Sequence, residues 1–238
     1  MRRLAPGDME CPQMSGVNMA KITLNDIMQD PQVQVYLEKA NQQMAAIGFT
    51  EHGFRHAEIV SKVARGILLK LNMGKRAAEL AGIAGYLHDI GNVINRQNHP
   101  ETCALLAHYI LVGKGMDTAE IADIMGAIGN HAEDSGCPIN PITAAVIIAD
   151  KSDVHYSRVQ NPNPVAFDIH DRVNHAVHKS YLRVDKEAKI ISLELGVDVE
   201  SASVTDYFEI FLSRMLICRR AAEMLDCKFK LVINGVSL

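Results

Sequence analysis

The dipeptide His88-Asp89, in the run GYLHDIGN, ends an apolar stretch of the chain. A histidine followed by an aspartate packs poorly in a hydrophobic core, but an imidazole nitrogen and a carboxylate oxygen are good metal ligands. The same two residue types recur along the chain, with apolar segments between them, at His56, His99, His131 and Asp150. Because no two cysteines have the spacing of a thiolate site, the set favours Mn, Fe, Co, Zn or Mg.

Each of these residues also has a purely structural interpretation. A single histidine on an apolar helix face is more often a hydrogen-bonded core residue than a ligand, whereas an aspartate is rarely buried without a partner. Asp150 follows the run AAVIIA, where its charge needs a cation or hydrogen-bond donors. The metal interpretation is therefore strongest for His56, His88, Asp89 and Asp150. The other two histidines, His99 and His131, could instead contact substrate or orient ligands in a one-metal site.

Helices are predicted over most of residues 21–158, and they position the candidate ligands. Asp30 before Pro31 is a favourable N-cap, and the helix that it opens runs to Gly48. In the next helix, which begins near residue 53 and ends before residue 74, apolar residues at three- and four-residue spacing turn His56 inward. A helix over 75–87 then delivers His88, and further helices are expected over 99–112, 117–131 and 141–158.

The pattern changes after Asn161, where the run NPNP interrupts the helical region. SYLRVD and KIISLELGV alternate apolar and polar residues on either side of KEAK, as the strands of an antiparallel hairpin do. A long amphipathic helix over 204–225 and a third strand in FKLVINGVSL complete a β-β-α-β segment. The predicted fold is mainly α, with a disordered segment over 1–20, a helical metal-binding domain over 21–160 and a small C-terminal α+β appendage over 161–238.

The composition excludes several classes of partner. With 238 residues, of which 48% are hydrophobic, the chain can bury the core of one large domain or of one domain with an appendage. The net charge of −4 and the dispersed basic residues predict no nucleic-acid partner. Neither a long apolar stretch nor a signal-peptide pattern is found, so no membrane partner is expected. Five cysteines without paired spacing favour a cytoplasmic protein.

The order His, His-Asp, His, His, Asp resembles that of the HD-domain superfamily of metal-dependent phosphohydrolases, over residues 52 to about 158. Carried over position by position, the core ligands of the family fall on His56, His88, Asp89 and Asp150. The two additional histidines of its two-metal branch fall on His99 and His131. The resemblance implies a helical HD-domain bundle that binds two divalent ions per chain.

The ligand set in turn suggests how such a site would work. Two ions about 3.5–4 Å apart, bridged by Asp89, would lower the pKa of a bridging water, and the resulting hydroxide would attack a phosphorus atom. The expected ligands are His56 and Asp150 for one ion, His99 and His131 for the other, and His88 beside the bridging carboxylate. The predicted function is hydrolysis of a phosphate ester or anhydride in a small phosphorylated metabolite or a nucleotide.

Other polar residues near the candidate ligands are expected to assist the reaction. Lys151 and Arg158 flank the end of the helix that carries Asp150, and Arg55 adjoins His56. Each of these three cations could reach substrate oxygens, although a solvated surface role is equally expected. Asp153, one turn beyond Asp150, could orient a ligand histidine or the attacking water.

Two further histidine positions are interpreted as structural. His52, one turn before His56, is expected at the surface. The second His-Asp dipeptide, His170-Asp171, lacks the flanking pattern of the first. It is expected to be a structural or capping segment, with Arg172 available to pair with Asp171.

Three alternatives to hydrolysis are open. A mixed-valent di-iron oxygenase would use the same ligands with iron to activate dioxygen. A catalytically silent HD module would bind a nucleotide and signal through the appendage, and a purely structural helical protein would leave the buried aspartates unexplained.

The appendage could cover the site, bind a ligand or form a homodimer interface. The runs Ile-Gly-Asn-Val after Asp89 and Gly136-Cys137-Pro138 argue against guanosine-tetraphosphate and cyclic-dinucleotide hydrolases, respectively.

Overall fold

The computed structural model of the protein describes residues 21–163 and 168–238. The disorder predicted for residues 1–20 lies outside the described residues. The part of the chain before residue 160 is helical, as predicted, and its helices are α1 (Leu24–Met28), α2 (Pro31–Ala46), α3 (Phe54–Lys70), α4 (Lys75–Leu87), α5 (His99–Gly113), α6 (Thr118–Gly129) and α7 (Pro141–Ser152).

The caps of α2 agree with the residues that predicted them. The side chain of Asp30 accepts hydrogen bonds from the backbone N–H groups of Gln32 and Val33, and Pro31 occupies the first turn. Two residues after the helix, Gly48 has a φ of +82°, a left-handed conformation that glycine adopts at little cost. These two ends set the length of the helix and direct the chain back over α3.

Close packing of α4 on α3 places the His-Asp dipeptide. A Cβ atom on Gly85 would lie 3.1 Å from the backbone of Ser61, so the small residue allows the two helices to approach. His88 is the C-cap of α4, and a 3₁₀ turn (Ile90–Val93) follows Asp89. The turn is pressed against the start of α5, where a Cβ atom on Gly91 would lie 2.5 Å from the Cys103 nitrogen. The chain therefore reverses directly after the two candidate ligands.

The last helix of the bundle, α7, is shorter than predicted. It ends at Ser152, whereas the sequence predicted a helix over 141–158, so that prediction is wrong. Asp153 has φ −83° and ψ 74°, outside the helical region, and a separate 3₁₀ turn (Tyr156–Arg158) follows. The break turns the Asp153 side chain towards α3, where it contacts His56 and Arg55. These contacts offset the loss of helical hydrogen bonds.

The C-terminal part of the chain is the expected small α+β appendage. It contains α8 (Ile169–Ala176), β1 (Val177–Asp185), β2 (Ile190–Val197), α9 (Val204–Met224), β3 (Lys228–Ile233) and β4 (Val236–Ser237). The sheet order is β1-β2-β3-β4, with β2 and β3 parallel and the other pairs antiparallel. The single third strand that was predicted is instead two strands, because Asn234 and Gly235 both have positive φ and form a tight turn.

The appendage is packed against the bundle. Ile217, Ala221 and Ala222 of α9 belong to the same buried cluster as the apolar residues of α7. A second cluster, which includes Tyr207 and Phe211, lies between α9, α8 and the sheet. Because of this packing, α8 and α9 stand beside the end of α7 that carries Asp150. Within the described residues, no helix has the length and apolar character needed to cross a membrane.

Candidate metal centre

The six predicted ligands converge, although they come from five separate places in the chain. They are His56 in the first turn of α3, His88 and Asp89 at the end of α4, His99 at the start of α5, His131 just after α6 and Asp150 in the last turn of α7. All six side chains are buried. Asp89, His99, His131 and Asp150 line the floor of a cavity of about 330 Å³.

Four of these side chains form a compact ligand group. The Nε2 atom of His56 lies 3.2 Å from Nε2 of His88, 3.6 Å from Oδ2 of Asp89 and 3.3 Å from Oδ1 of Asp150. The Nε2 atom of His88 lies 3.2 Å from the same Asp89 oxygen and 3.6 Å from the same Asp150 oxygen. Four ligands at about 2.1 Å around a tetrahedral ion would be about 3.4 Å apart. The spacing of this group therefore fits one metal ion.

The hydrogen bonds on the far side of the two rings fix their tautomers. His56 Nδ1 lies 2.7 Å from Oδ2 of Asp153, and His88 Nδ1 lies 2.8 Å from the backbone oxygen of Gly85. A carboxylate and a carbonyl oxygen can only accept, so both Nδ1 atoms carry hydrogens. In the neutral rings the lone pairs of the two Nε2 atoms then face each other. A proton or a metal ion must lie among them to remove this repulsion.

The electrostatics of the group demand positive charge. Burial opposes ionisation of His88, but the carboxylates of Asp89 and Asp150 outweigh it and raise the pKa of His88 to about 10. Burial also opposes ionisation of the two carboxylates, yet the pKa of each is held well below its usual value, that of Asp89 chiefly by His88 and that of Asp150 chiefly by Lys151. A metal cation at this point would replace the His88 proton, so the donor set fits a divalent ion.

The second group of ligands is looser. His99 Nε2 lies 3.1 Å from His131 Nε2 and 3.7 Å from Oδ1 of Asp89. Burial lowers the pKa of His99 to about 4 and that of His131 to about 3, so both rings are neutral at pH 7. His131 Nδ1 donates to the backbone oxygen of Ile128 at 2.5 Å, which leaves its Nε2 as an acceptor facing His99. An N–H of His99 or a metal ion can satisfy this acceptor.

Asp89 joins the two groups. Its Oδ2 atom faces His56 and His88, whereas its Oδ1 atom accepts a hydrogen bond from Nδ2 of Asn92 at 2.9 Å and lies on the side of His99. The ligand atoms of His88, Asp89 and His131 also lie within 4.8 Å of one another. His88 therefore lies beside Asp89, as the predicted apportionment has it, and between the two groups of ligands.

The three predicted auxiliary cations are engaged with the protein. Arg55 donates from NH1 and NH2 to the two oxygens of Asp153, at 3.0 and 3.1 Å. Arg158 borders the cavity, but its donors go to the backbone oxygens of Glu51 and Asp153. Lys151 is 7% exposed, and its Nζ atom lies 2.7 Å from Oδ2 of Asp150.

Lys151 also connects the centre to the appendage. Its Nζ atom lies 2.6 Å from Oε2 of Glu133, and Oε1 of Glu133 accepts from Nε of Arg214 in α9 at 3.2 Å. Burial disfavours the charge of Lys151, but Asp150 and Glu133 outweigh it and raise its pKa. Charges of alternating sign therefore run from α9 to the oxygen of Asp150 that points away from the ligand group.

The surface position predicted for His52 is wrong. His52 is only 7% exposed, because it lies in the loop before α3 and not on the helix, and this loop folds over the centre. Its Nδ1 atom donates to the backbone oxygen of Thr50 at 2.6 Å, and its Nε2 atom lies 3.9 Å from Oδ2 of Asp89. Burial holds the pKa of His52 well below its usual value.

Several cavity residues carry no signal in the sequence. Arg96 lies between the 3₁₀ turn and α5, and Glu133 and Arg214 are separated from the ligands along the chain.

The second His-Asp dipeptide was expected to be structural or capping. Asp168 caps α8 by accepting from the backbone N–H of Asp171, and His170 and Asp171 also line the cavity. The appendage therefore forms one wall of the cavity.

A comparison with protein families agrees with this geometry. Residues 53–156 match the family model of the HD domain. No curated protein matches the chain. HD domains bind divalent metal ions and are typical of metal-dependent hydrolases, and the His/Asp groups of this chain could hold such an ion. Residues 53–156 are therefore similar to the HD domain, and all six candidate ligands lie within the matched range.

Proposed function

We propose that the protein is a metal-dependent phosphohydrolase that cleaves a phosphate ester or anhydride of a small phosphorylated metabolite or a nucleotide. One observation carries the proposal. The unprotonated Nε2 atoms of His56 and His88 would face each other, beside oxygens of Asp89 and Asp150, at one end of a cavity. Such a group is stable when a cation lies among its atoms, and the HD domain is the type of fold in which that cation serves hydrolysis.

The residues around the proposed site have separate tasks. Bound divalent ions would acidify water and neutralise charge on phosphate oxygens. Asp153 holds the ring of His56 with its Nε2 towards the site, and Lys151 holds the outer oxygen of Asp150. Asp89 presents one oxygen to each ligand group, so we propose it as the ligand shared by two ions, with His99 and His131 on the second.

The cavity supports a small substrate. Its volume of about 330 Å³ suits a molecule of metabolite or nucleotide size. Its wall contains the cations Arg96, Lys151 and Arg214, and the acidic and amide side chains of Asp171 and Asn174 stand on α8. An anionic group at the metal end and a polar, hydrogen-bonding group at the α8 end would match this distribution.

The described cysteines are all free, which supports a cytoplasmic location.

The test is a metal and activity measurement on the full chain. We expect protein purified without chelator to contain divalent metal by mass spectrometry, and to release phosphate from a panel of small phosphate esters and anhydrides with Mn, Co, Fe, Zn or Mg. Asp89→Asn should lose bound metal and phosphate release together. Asp185→Asn, at the C-terminal end of β1, is the matched control and should retain both.

Two other outcomes would replace the proposal. Iron-dependent consumption of dioxygen without phosphate release would make the protein an oxygenase with the same ligands. Tight binding of a nucleotide without turnover, at full metal content, would make it a signalling module. Phosphate release that persists after verified removal of all metal would contradict the role of the metal itself.

A further inference from the structure

The cations that border the cavity differ in how far their donors are already used. Lys151 lies between Asp150 and Glu133, and Arg214 donates to Glu133. Arg158 is buried and donates to backbone oxygens. Arg214 and Arg96 each donate from one atom only, but within the described residues Arg96 makes no hydrogen bond as short as the 3.2 Å bond of Arg214, and its Nε and NH2 have no partner. Arg96 therefore has donors available for a ligand.

The contacts that Arg96 does make are long. Its NH1 atom lies 3.4 Å from Oδ1 of Asp89 and 3.4 Å from Oδ1 of Asn92. Charge-assisted hydrogen bonds from arginine to a carboxylate are normally about 2.7–2.9 Å. The Asp89 oxygen already accepts a shorter bond from Asn92, at 2.9 Å. The charge of Asp89 therefore attracts the Arg96 guanidinium to the edge of the centre, but the donors of that guanidinium are not used in a short hydrogen bond.

An aromatic ring fixes the position of this guanidinium. Its central carbon lies 5.5 Å from the centroid of the Phe49 ring, within the range of a cation–π contact. Phe49 belongs to the loop before α3, and it lines the same cavity as Arg96. The Arg96 side chain is 29% exposed, so it stands at the mouth of the cavity. Its open donors can meet a ligand that enters there.

We propose that Arg96 binds the phosphoryl oxygens of the substrate at the Asp89 side of the metal centre. This inference rests on the proposed function and names a residue for it. A divalent cation bound at the centre and the guanidinium of Arg96 would both attract an anion that lies against the two. The planar fork of arginine matches two oxygens of a phosphate, which a lysine or a neutral side chain does not. The ligand class is the terminal phosphoryl group of a phosphomonoester or a polyphosphate.

Binding of inorganic phosphate to the metal-loaded protein tests the proposal without turnover. By titration calorimetry we expect Arg96→Ala to weaken phosphate binding by about ten- to hundredfold, since a charge-assisted pair is lost. Arg96→Lys keeps the charge but loses the fork, and should recover only part of the affinity. Phe49→Leu, which removes the ring, should weaken binding by about two- to fivefold. Arg183→Ala, on the sheet, is the matched control and should bind like the wild type.

Metal content is measured on the same samples and should be unchanged in every variant. Equal phosphate affinity in Arg96→Ala and wild type overturns the proposal, as does a wild type that binds no phosphate. Loss of metal from Arg96→Ala also overturns it, because Arg96 would then act by holding Asp89. If phosphate binding depends on Arg96 but no ester or anhydride is hydrolysed, the proposed function fails and the role of Arg96 stands. If an ester or anhydride is hydrolysed but phosphate binding does not depend on Arg96, the proposed function stands and the role of Arg96 fails.

Discussion

Oδ2 of Asp153 lies 2.7 Å from Nδ1 of His56, and both oxygens of Asp153 are held by Arg55. Burial opposes the charge of Asp153, but the hydrogen bond to His56 and the nearby arginines lower its pKa. The carboxylate therefore stays ionised and keeps the hydrogen of His56 on Nδ1. This leaves Nε2 of His56 with a lone pair directed at the ligand group, so Asp153, which lies outside the group, fixes the ring atom that His56 presents to it.

We therefore expect Asp153→Asn to weaken metal binding by about ten- to hundredfold, because residues that orient ligand histidines have effects of this size. Metal titration followed by calorimetry measures it directly. Asp123→Asn, an exposed aspartate on α6, is the matched control. Equal metal affinity in Asp153→Asn and the control would show that the His56 ring is held by packing alone.

Metal affinity should rise with pH, because the ion and a proton compete for His88. Without metal, the pKa of His88 is about 10, so His88 is protonated at neutral pH. The pKa values of His99 and His131, about 4 and 3, add no further proton release above about pH 6. One proton should then leave when the ion that His88 binds enters the site, and the apparent affinity for that ion should rise by about tenfold per pH unit below the pKa of His88. Calorimetry in two buffers of different ionisation enthalpy counts the protons, and affinity independent of pH would contradict the assignment.

Arg214 of the appendage should influence the metal centre through Glu133 and Lys151. Arg214→Gln removes the positive charge next to Glu133, which frees Glu133 to turn and loosens Lys151 on Asp150. We expect metal affinity to fall by about two- to tenfold. Arg219→Gln, an exposed arginine of the same helix, should have no effect. A similar change in both variants would indicate general destabilisation of α9 instead.

The sequence predicted the elements, and the six residues that come together at the centre, better than it predicted their surroundings. The fold class and the helix over 75–87 were predicted because caps, small residues and apolar spacing act locally. The turn at Asn234-Gly235 was missed, although an Asn-Gly pair is a strong hairpin signal. His52 and Arg96 could not be placed, because their positions depend on a loop and a 3₁₀ turn that only tertiary packing fixes. The cavity wall from α8 likewise depends on how α9 packs against α7.

Metal should also stabilise the fold. An ion that binds the folded centre and not the unfolded chain adds about 2.7 kcal/mol at a hundred times its dissociation constant. For a chain of this length the melting temperature should then rise by about 5–10 °C, and chelator should reverse it. Differential scanning calorimetry with and without Mn measures the shift. Asp150→Asn should abolish the metal-dependent part, and an equal shift in that variant would exclude Asp150 as a ligand.

The number of ions depends on His99 and His131. If both bind a second ion, His131→Ala and His99→Ala should each leave about one ion per chain and lower the rate of phosphate release by about a hundredfold. The remaining ion would still acidify water, but it could not stabilise both the attacking and the leaving oxygen. If they contact substrate instead, metal content should stay constant and the loss should appear in KM. Mass spectrometry of the metal and steady-state kinetics separate these results, with His108→Ala, an exposed histidine of α5, as the matched control. We expect the loss of one ion, because Nε2 of His131 lies 3.1 Å from Nε2 of His99, and the shared Asp89 carries a second oxygen on that side.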